Sequence, residues 1–216
     1  EFDLHTREDE VLSTRFLVWA AGMYTRPNES LDFDGCSIHY ARMPYLNDIQ
    51  ASEITVVGSA NGASGVVMQL ARPGRKVHLV VGGAYTVPEP IDCLWKENMT
   101  FIKDLERQGL VEIHEHFRVK RIYKEGAEYI LESEDGQTRT APEKPITCTG
   151  FLPNIGPVNT LVSEVCIERE TFLNIDEVHQ SKDQPGLYFA GTIGRLTSDQ
   201  AFIRNFREFA PTIAAH

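Results

Sequence analysis

Short β-branched runs alternate along this chain with stripes of apolar residues at helical spacing, and that alternation predicts its elements. Ile54 to Val57 (ITVV) has the character of a strand buried on both faces, and it stops at Gly58. Beyond the turn, Ala63, Val66, Val67, Leu70 and Ala71 fall at i, i+3, i+4, i+7 and i+8, the stripe of a helix that Pro73-Gly74 ends. Lys76 to Val81 (KVHLVV) reads as a second buried strand, close enough to pair parallel with the first through a right-handed crossover. Leu94, Trp95, Met99, Ile102 and Leu105 trace a second helical stripe between about Ile91 and Gln108; Gly109 stops it, and Leu110 to Ile113 follows as a third strand.

Alternation then changes to the two-residue period of half-buried strands. Phe117 to Tyr123, Glu128 to Ser133 and Thr138 to Thr140, with turn signals at Glu125-Gly126 and Asp135-Gly136, predict a small antiparallel meander. Pro145 to Thr149 returns the chain to the parallel sheet. Outside this block, Arg15 to Ala21 (RFLVWAA) is a buried-strand candidate ending at Gly22, Phe172 to Val178 is another strand, and Pro185 to Thr192 is a strand closing at Gly191. Thr197-x-x-Gln200 is a capping box for a last helix with Phe202, Phe206, Phe209, Ala210 and Ile213 on one stripe, which Pro211 is expected to kink or end. Asn28 to Ala51, rich in Asp, Asn, Pro and Ser and without sustained periodicity, reads as a connector. The fold class is α/β, a Rossmann-like parallel sheet with an inserted antiparallel β-meander, plus a partial second α/β domain.

The strand, glycine turn and helix around Gly58 carry the first chemical signal. Read as G-x-G-x-x-G/A, the register places Gly58, Ala60 and Ala63, with alanine at the second position and no charged side chain between Glu53 and Arg72. Backbone N–H groups at the start of such a helix meet a pyrophosphate, which makes Gly58, Ser59, Ala60, Asn61, Gly62 and Ala63 the cofactor-binding candidates. The motif alone leaves open a strand packed on a helix with glycines there for packing.

Composition narrows the partners. Of 216 residues, 42% are hydrophobic and 24% charged, and 21 Lys and Arg against 31 Asp and Glu leave a formal charge of −10, which argues against nucleic acid and anionic membrane surfaces. No apolar run approaches membrane-spanning length. Cys36, Cys93, Cys148 and Cys166 are far apart, without a C-x-x-C pair, as expected for reduced thiols in a cytoplasmic protein. The first methionine is Met23 and no signal-peptide pattern opens the chain, so it reads as a piece of a longer polypeptide. His114-x-His116 would face one side of a strand, but solvent-facing imidazoles are the simpler reading and no metal is assigned. Ser64, in the helix rather than the turn, does not fit a nucleophile elbow, and Cys148, ending a buried strand, reads as packed.

The order of phrases resembles the flavoproteins with two dinucleotide-binding domains, the pyridine-nucleotide oxidoreductase and flavin-containing monooxygenase group. Trp19-Ala20-Ala21-Gly22 is similar to the exit from the FAD domain, Gly58 to Ala63 to the NAD(P)H fingerprint, Cys148-Thr149-Gly150 to the matching exit phrase, and Gly186 to Thr192 to the strand ending beside the flavin. The resemblance implies three segments: 1–50, the end of a FAD-type domain and linker; 51–149, an NAD(P)H-binding domain; and 150–216, the return of the FAD-type domain. It implies hydride transfer from NAD(P)H to FAD in the full-length protein, and adds Thr149, Gly150, Gly191 and Thr192 to the cofactor-binding residues. It names no catalytic side chain. The partner would be a small-molecule substrate or electron acceptor, and a homo-oligomer is compatible with it. Phe33-x-Gly35-x-x-x-His39-x-x-x-Met43-Pro44 resembles the class B flavin monooxygenase linker, with methionine where that signature has an aromatic residue. Thr192 stands where the family commonly has an aspartate, and no FAD-binding strand, glycine turn and helix precedes Phe16. The chain alone is therefore expected to hold no stoichiometric FAD and not to oxidise NAD(P)H. With neither an acid nor an arginine between Val77 and Pro88, NADH and NADPH should differ by less than about tenfold. The reading from another class is a stand-alone nucleotide-binding or sensor module without redox chemistry.

Overall fold

The computed structural model describes residues 1–31, 34–43, 45–86, 94–167, 170–197 and 209–215. Phe33 and Pro44 of the linker phrase, Ile91, Cys93, and the expected Gln200, Phe202 and Phe206 of the last helix lie outside the described residues. The chain divides into two compact units, Glu1–Arg26 with Phe151–His216, and Pro27–Gly150.

The first unit opens with an antiparallel hairpin, β1 (Phe2–His5) and β2 (Val11–Thr14), followed by β3 (Leu17–Trp19). The hairpin has no glycine signal; its turn is held by Thr6, whose hydroxyl oxygen accepts from the N–H groups of Glu8 and Glu10, with Asp9 at φ 59°.

The second unit carries β4 (Ile38–His39), β5 (Glu53–Val57), α1 (Asn61–Leu70), β6 (Lys76–Val80), α2 (Lys96–Arg107) and β7 (Val111–His114). The meander β8 (Val119–Glu125), β9 (Glu128–Ser133) and β10 (Thr138–Ala141) follows, and β11 (Ile146–Thr147) re-enters the sheet. The sheet order is β4-β11-β5-β6-β7, every pairing parallel, so the chain crosses over twice and then inserts its last strand beside its first. Strand alternation divides the core in two. Ile54, Val56, Val77, Leu79, Val111 and Ile146 pack under Ala63, Val66, Val67 and Leu70 of α1 and Ile102 and Leu105 of α2. Val57 and Val80 turn to the opposite face, against Phe117, Val119, Ile122, Leu131 and Ala141 of the meander segment. Both faces of β5 are thus covered, which is why its sequence is apolar without alternation.

The chain then returns to the first unit through the hairpin β12 (Glu164–Ile167) and β13 (Glu170–Leu173), then β14 (Leu187–Phe189), parallel to β3. A 3-10 turn, Gly191–Gly194, and α3 (Phe209–Ala215) complete the described chain.

Several expectations change. Arg15 to Ala21 is not a buried strand: β14 is the only neighbour of β3 in its sheet among the described residues, and while Leu17 and Trp19 pack inward, Phe16 and Val18 are 62% and 50% exposed. The connector Asn28 to Ala51 supplies β4, a strand of two residues too short to show a period. The strand sought at Phe172 to Val178 ends at Leu173, because the Asp176 carboxylate accepts from Val178 N–H and Gln180 N–H and folds the chain into a turn. Pro211 does not end α3, whose described part runs through it to Ala215.

Leu79 lies at the centre of the sheet with no exposed surface. Leu79→Ala is expected to lower unfolding free energy by about 2–5 kcal/mol in urea titration, whereas Phe16→Ala, at an exposed position, should shift it far less.

Candidate functional site

The glycine turn follows β5 in the middle of the sheet, between β11 and β6. Gly58 has φ 143°, and a Cβ there would stand 2.7 Å from the Cys148 carbonyl oxygen and 3.0 Å from its Cβ. The main chain on either side is fixed: Gly58 N–H donates to Val80 O at 3.0 Å, and Cys148 N–H to Val57 O at 2.7 Å. Glycine is therefore required by close approach as well as by conformation. Ala60 is the N-cap of α1, extended at φ −95° and ψ −175°, with no capping side chain and no acidic residue in the first turn. The methyl group that departs from the fingerprint thus leaves the helix start without the internal cap that Ser, Asp or Asn would supply there. Uncapped N–H groups and the positive end of the helix dipole are features that favour an anion. Ser59 is exposed, while Gly58, Ala60, Asn61 and Gly62 are half-buried. A Cβ on Gly62 would meet the Tyr40 hydroxyl at 3.2 Å, and Ala63 is fully buried against the sheet. The third fingerprint position does the close-packing work expected of it.

Asn61 is engaged away from its own helix. Its Oδ1 accepts from Trp95 N–H and from Asn98 Nδ2, both at 2.9 Å, tying the start of α1 to that of α2. Ser64 is buried, bonded to Tyr85 Oη at 3.0 Å and back to Ala60 O, so it is not an exposed nucleophile. Tyr85 N–H donates to Glu115 Oε1 at 2.7 Å, and burial pushes its phenol pKa up. The end of β6 is more informative. Phe117 N–H donates to Val81 O and His116 N–H to Gly83 O, laying 116–118 beside 81–83. Arg118 then covers Gly82, with its guanidinium carbon 3.3 Å from where a Cβ would stand. A cation therefore lies at the end of the second strand, although the local sequence from Val77 to Pro88 contains none. Arg75, by contrast, sits at the opposite end as expected, donating to Ala51 O and Ile49 O.

The exit phrase is bonded within its own unit. Thr149 Oγ1 donates to Asn28 O at 2.5 Å, and Gly150, at φ 78°, accepts from Asn28 N–H and from His39 Nε2, each at 2.9 Å. His39 is not solvated: it is 2% exposed, and its Nδ1 accepts from Ala41 N–H. These partners define a neutral Nε2–H tautomer, and burial holds its pKa below the usual histidine value. Gly191, at φ 72°, and buried Thr192 belong to the other unit, in the turn after β14. His114 and His116 do not share a strand face. His114 ends β7 buried and meets His78, while His116 lies in the following turn at φ 58°.

The family model described as pyridine nucleotide-disulphide oxidoreductase matches residues 1–191. The chain belongs to the pyridine nucleotide-disulphide oxidoreductase family. No curated protein matches it in sequence. Among solved structures it resembles the bacillithiol disulfide reductase Bdr of Bacillus cereus, with TM-score 0.72 and 20% identity over 99% of this chain and 65% of that one. The Staphylococcus aureus Bdr gives 0.69 and 18% over 95% and 63%, and an Enterococcus faecalis pyridine nucleotide-disulfide family oxidoreductase gives 0.68 and 15% over 98% and 50%. The chain thus spans less than two thirds of the length of these structures, and at these identities the likeness establishes the fold.

This family uses FAD and NAD(P)H. The chemistry at the Gly58 turn is compatible with a dinucleotide: the helix start lacks an internal cap, and Arg118 lies over the end of β6. Among the described residues no two cysteines are joined. Cys36, Cys148 and Cys166 are free, and burial pushes the Cys148 pKa up to about 12. No helix among the described residues is long and apolar enough to cross a membrane.

Two outcomes test this geometry. Gly58→Ala should destabilise the chain through the clash with Cys148 O, while Gly62→Ala, facing the tip of a tyrosine, should be tolerated; melting temperatures of the two compare them directly. Protonation of His39 would put a hydrogen on Nδ1 against the Ala41 N–H. Its depressed folded pKa means the unfolded state takes up the proton first, so this contribution is complete above about pH 6.5 and declines as pH falls through the lowered pKa. Urea unfolding of wild type and His39→Gln at pH 7.5 and 5.5 should show a smaller pH dependence in the variant.

Proposed function

We propose that this chain is the NAD(P)H-binding portion of a FAD-dependent oxidoreductase, with the Gly58–Ala63 turn holding the dinucleotide pyrophosphate and Arg118 favouring NADPH. The single observation that carries it is the pairing of an uncapped helix start after β5 with a guanidinium over the end of β6. The backbone at Gly58 admits the phosphates, the start of α1 donates to them, and Arg118 is placed to receive a 2′-phosphate with charge and a planar fork of donors. Nicotinamide supplies hydride to flavin in such proteins, and the work of these residues is to bind and orient it. Family membership favours this reading over a nucleotide sensor without redox chemistry.

Electrons leaving the flavin would go to a small-molecule acceptor. The family and the bacillithiol disulfide reductases it resembles make a low-molecular-weight disulfide the first class to test. In the monooxygenase-like version dioxygen takes that place; it rests on the phrase around His39, whose ring nitrogens are both engaged with the backbone, and we rank it second. Nucleic acid is a poor partner for a chain of formal charge −10, and the protein is proposed to act in the cytoplasm, with self-association open to a sizing experiment.

Titration with NADPH and NADH, followed by calorimetry, tests the assignment. NADPH should bind at least about tenfold more tightly, and Arg118→Ala should remove about 1.4 kcal/mol of that preference while leaving NADH unchanged. Folded Gly58→Val binding both nucleotides as wild type does would overturn the site. Equal losses of NADH and NADPH in Arg118→Ala would remove the 2′-phosphate role alone.

A further inference from the structure

The face of the sheet under the meander is apolar where Val57 and Val80 lie but polar beside them. There Glu53, Thr55, His78, Glu112, His114 and Arg139 are among the residues lining a pocket of about 380 Å³. The register explains the cluster: Thr55 pairs with His78, His78 with Glu112, and Val80 with His114, so alternating residues of β5, β6 and β7 project to one side. The proposed function leaves these groups unused.

The two imidazoles are stacked, with ring centroids 5.2 Å apart and planes 14° from parallel, and His78 Nδ1 lies 2.9 Å from His114 Nε2. Glu112 faces both rings, its Oε2 3.8 Å from His78 Nδ1 and its Oε1 3.8 Å from His114 Nε2. One ligand atom from each of the three residues falls within 4.8 Å of the others. Two nitrogens on a tetrahedral ion at about 2.0–2.1 Å would be about 3.3 Å apart, so a few tenths of an ångström of opening between the rings, and a similar closing of the carboxylate, completes the geometry. The other nitrogen of His78, Nε2, is buried without an aligned hydrogen bond, 3.0 Å from Glu53 Oε1. A carboxylate behind a ligating histidine is the support that fixes the tautomer and directs the opposite lone pair outward.

We propose that His78 Nδ1, His114 Nε2 and the Glu112 carboxylate bind one divalent transition ion of the zinc and cobalt kind, with Glu53 as the supporting carboxylate. Two imidazoles and a carboxylate suit such ions and not calcium or magnesium, and the pocket leaves room for water as a fourth ligand. The nearby cations set the cost. Lys76 pairs with Glu112 and must swing away, which its half-exposed side chain permits, and Arg139 stays on the pocket wall, where its charge weakens the site. The bound ion would cross-link β6 and β7.

The test uses the untagged chain stripped with a chelator, titrated with Co2+ by visible absorption and with Zn2+ by calorimetry. One ion per chain is expected, with the intense visible bands of tetrahedral cobalt and a raised melting temperature. Glu112→Gln and His114→Ala should each weaken binding at least tenfold, while His116→Asn, an exposed control suited to its positive φ, should leave it unchanged. If His114→Ala fails to fold, Glu112→Gln decides, because that side chain is 45% exposed. No saturable ion, binding retained in Glu112→Gln, or binding lost with His116 instead would overturn the proposal.

Discussion

The close approach of Gly58 to Cys148 is the constraint from which the second unit is arranged. Because no Cβ intervenes, the Cys148 carbonyl can stand where a side chain would be, and β11 can run between β4 and β5 while the chain leaving β5 turns into α1. A side chain there would force apart the strand that closes the unit and the helix that begins its binding end. The exit phrase depends on the same arrangement, since Thr149 and Gly150 continue from Cys148 directly to their bonds with Asn28 and His39.

Electrostatics at this end run against the charge of the whole chain. A formal charge of −10 would repel a dinucleotide, yet the start of α1 is without acidic residues or a capping side chain, and Arg118 stands over the end of β6. Oriented amides and a single guanidinium act at contact distance, where they outweigh a dispersed surface charge screened over about 8–10 Å. Substituting alanine for the second fingerprint glycine is compatible with this, because Ala60 sits at the N-cap in extended backbone, which needs no glycine.

The two faces of one sheet have different tasks. The face under α1 and α2 is uniformly apolar and supplies the larger core. The meander covers only part of the other, where β6 and β7 carry His78, Glu112 and His114 beside a pocket. Alternation along β6 gives both results at once: Val77 and Leu79 point to the helices, His78 and Val80 to the meander.

The sequence by itself determined strands β5, β6 and β7, the two helices of the second unit, the meander and the glycine turn, because each carries an apolar run, a period or a turn signal of its own. It did not reveal β4, whose two residues have no period, nor the hairpin at Phe2 to Thr14, whose turn is made by Thr6 and Asp9 instead of glycine. Exposure of β3 was equally hidden, since an apolar run records what a strand can bury and not which neighbours cover it. Only tertiary structure could bring Arg118 to Gly82, or join His78 to Glu112 and His114. Those contacts come from parallel register and crossover connections, which place residues some 34 to 36 positions apart side by side without any local trace in the chain.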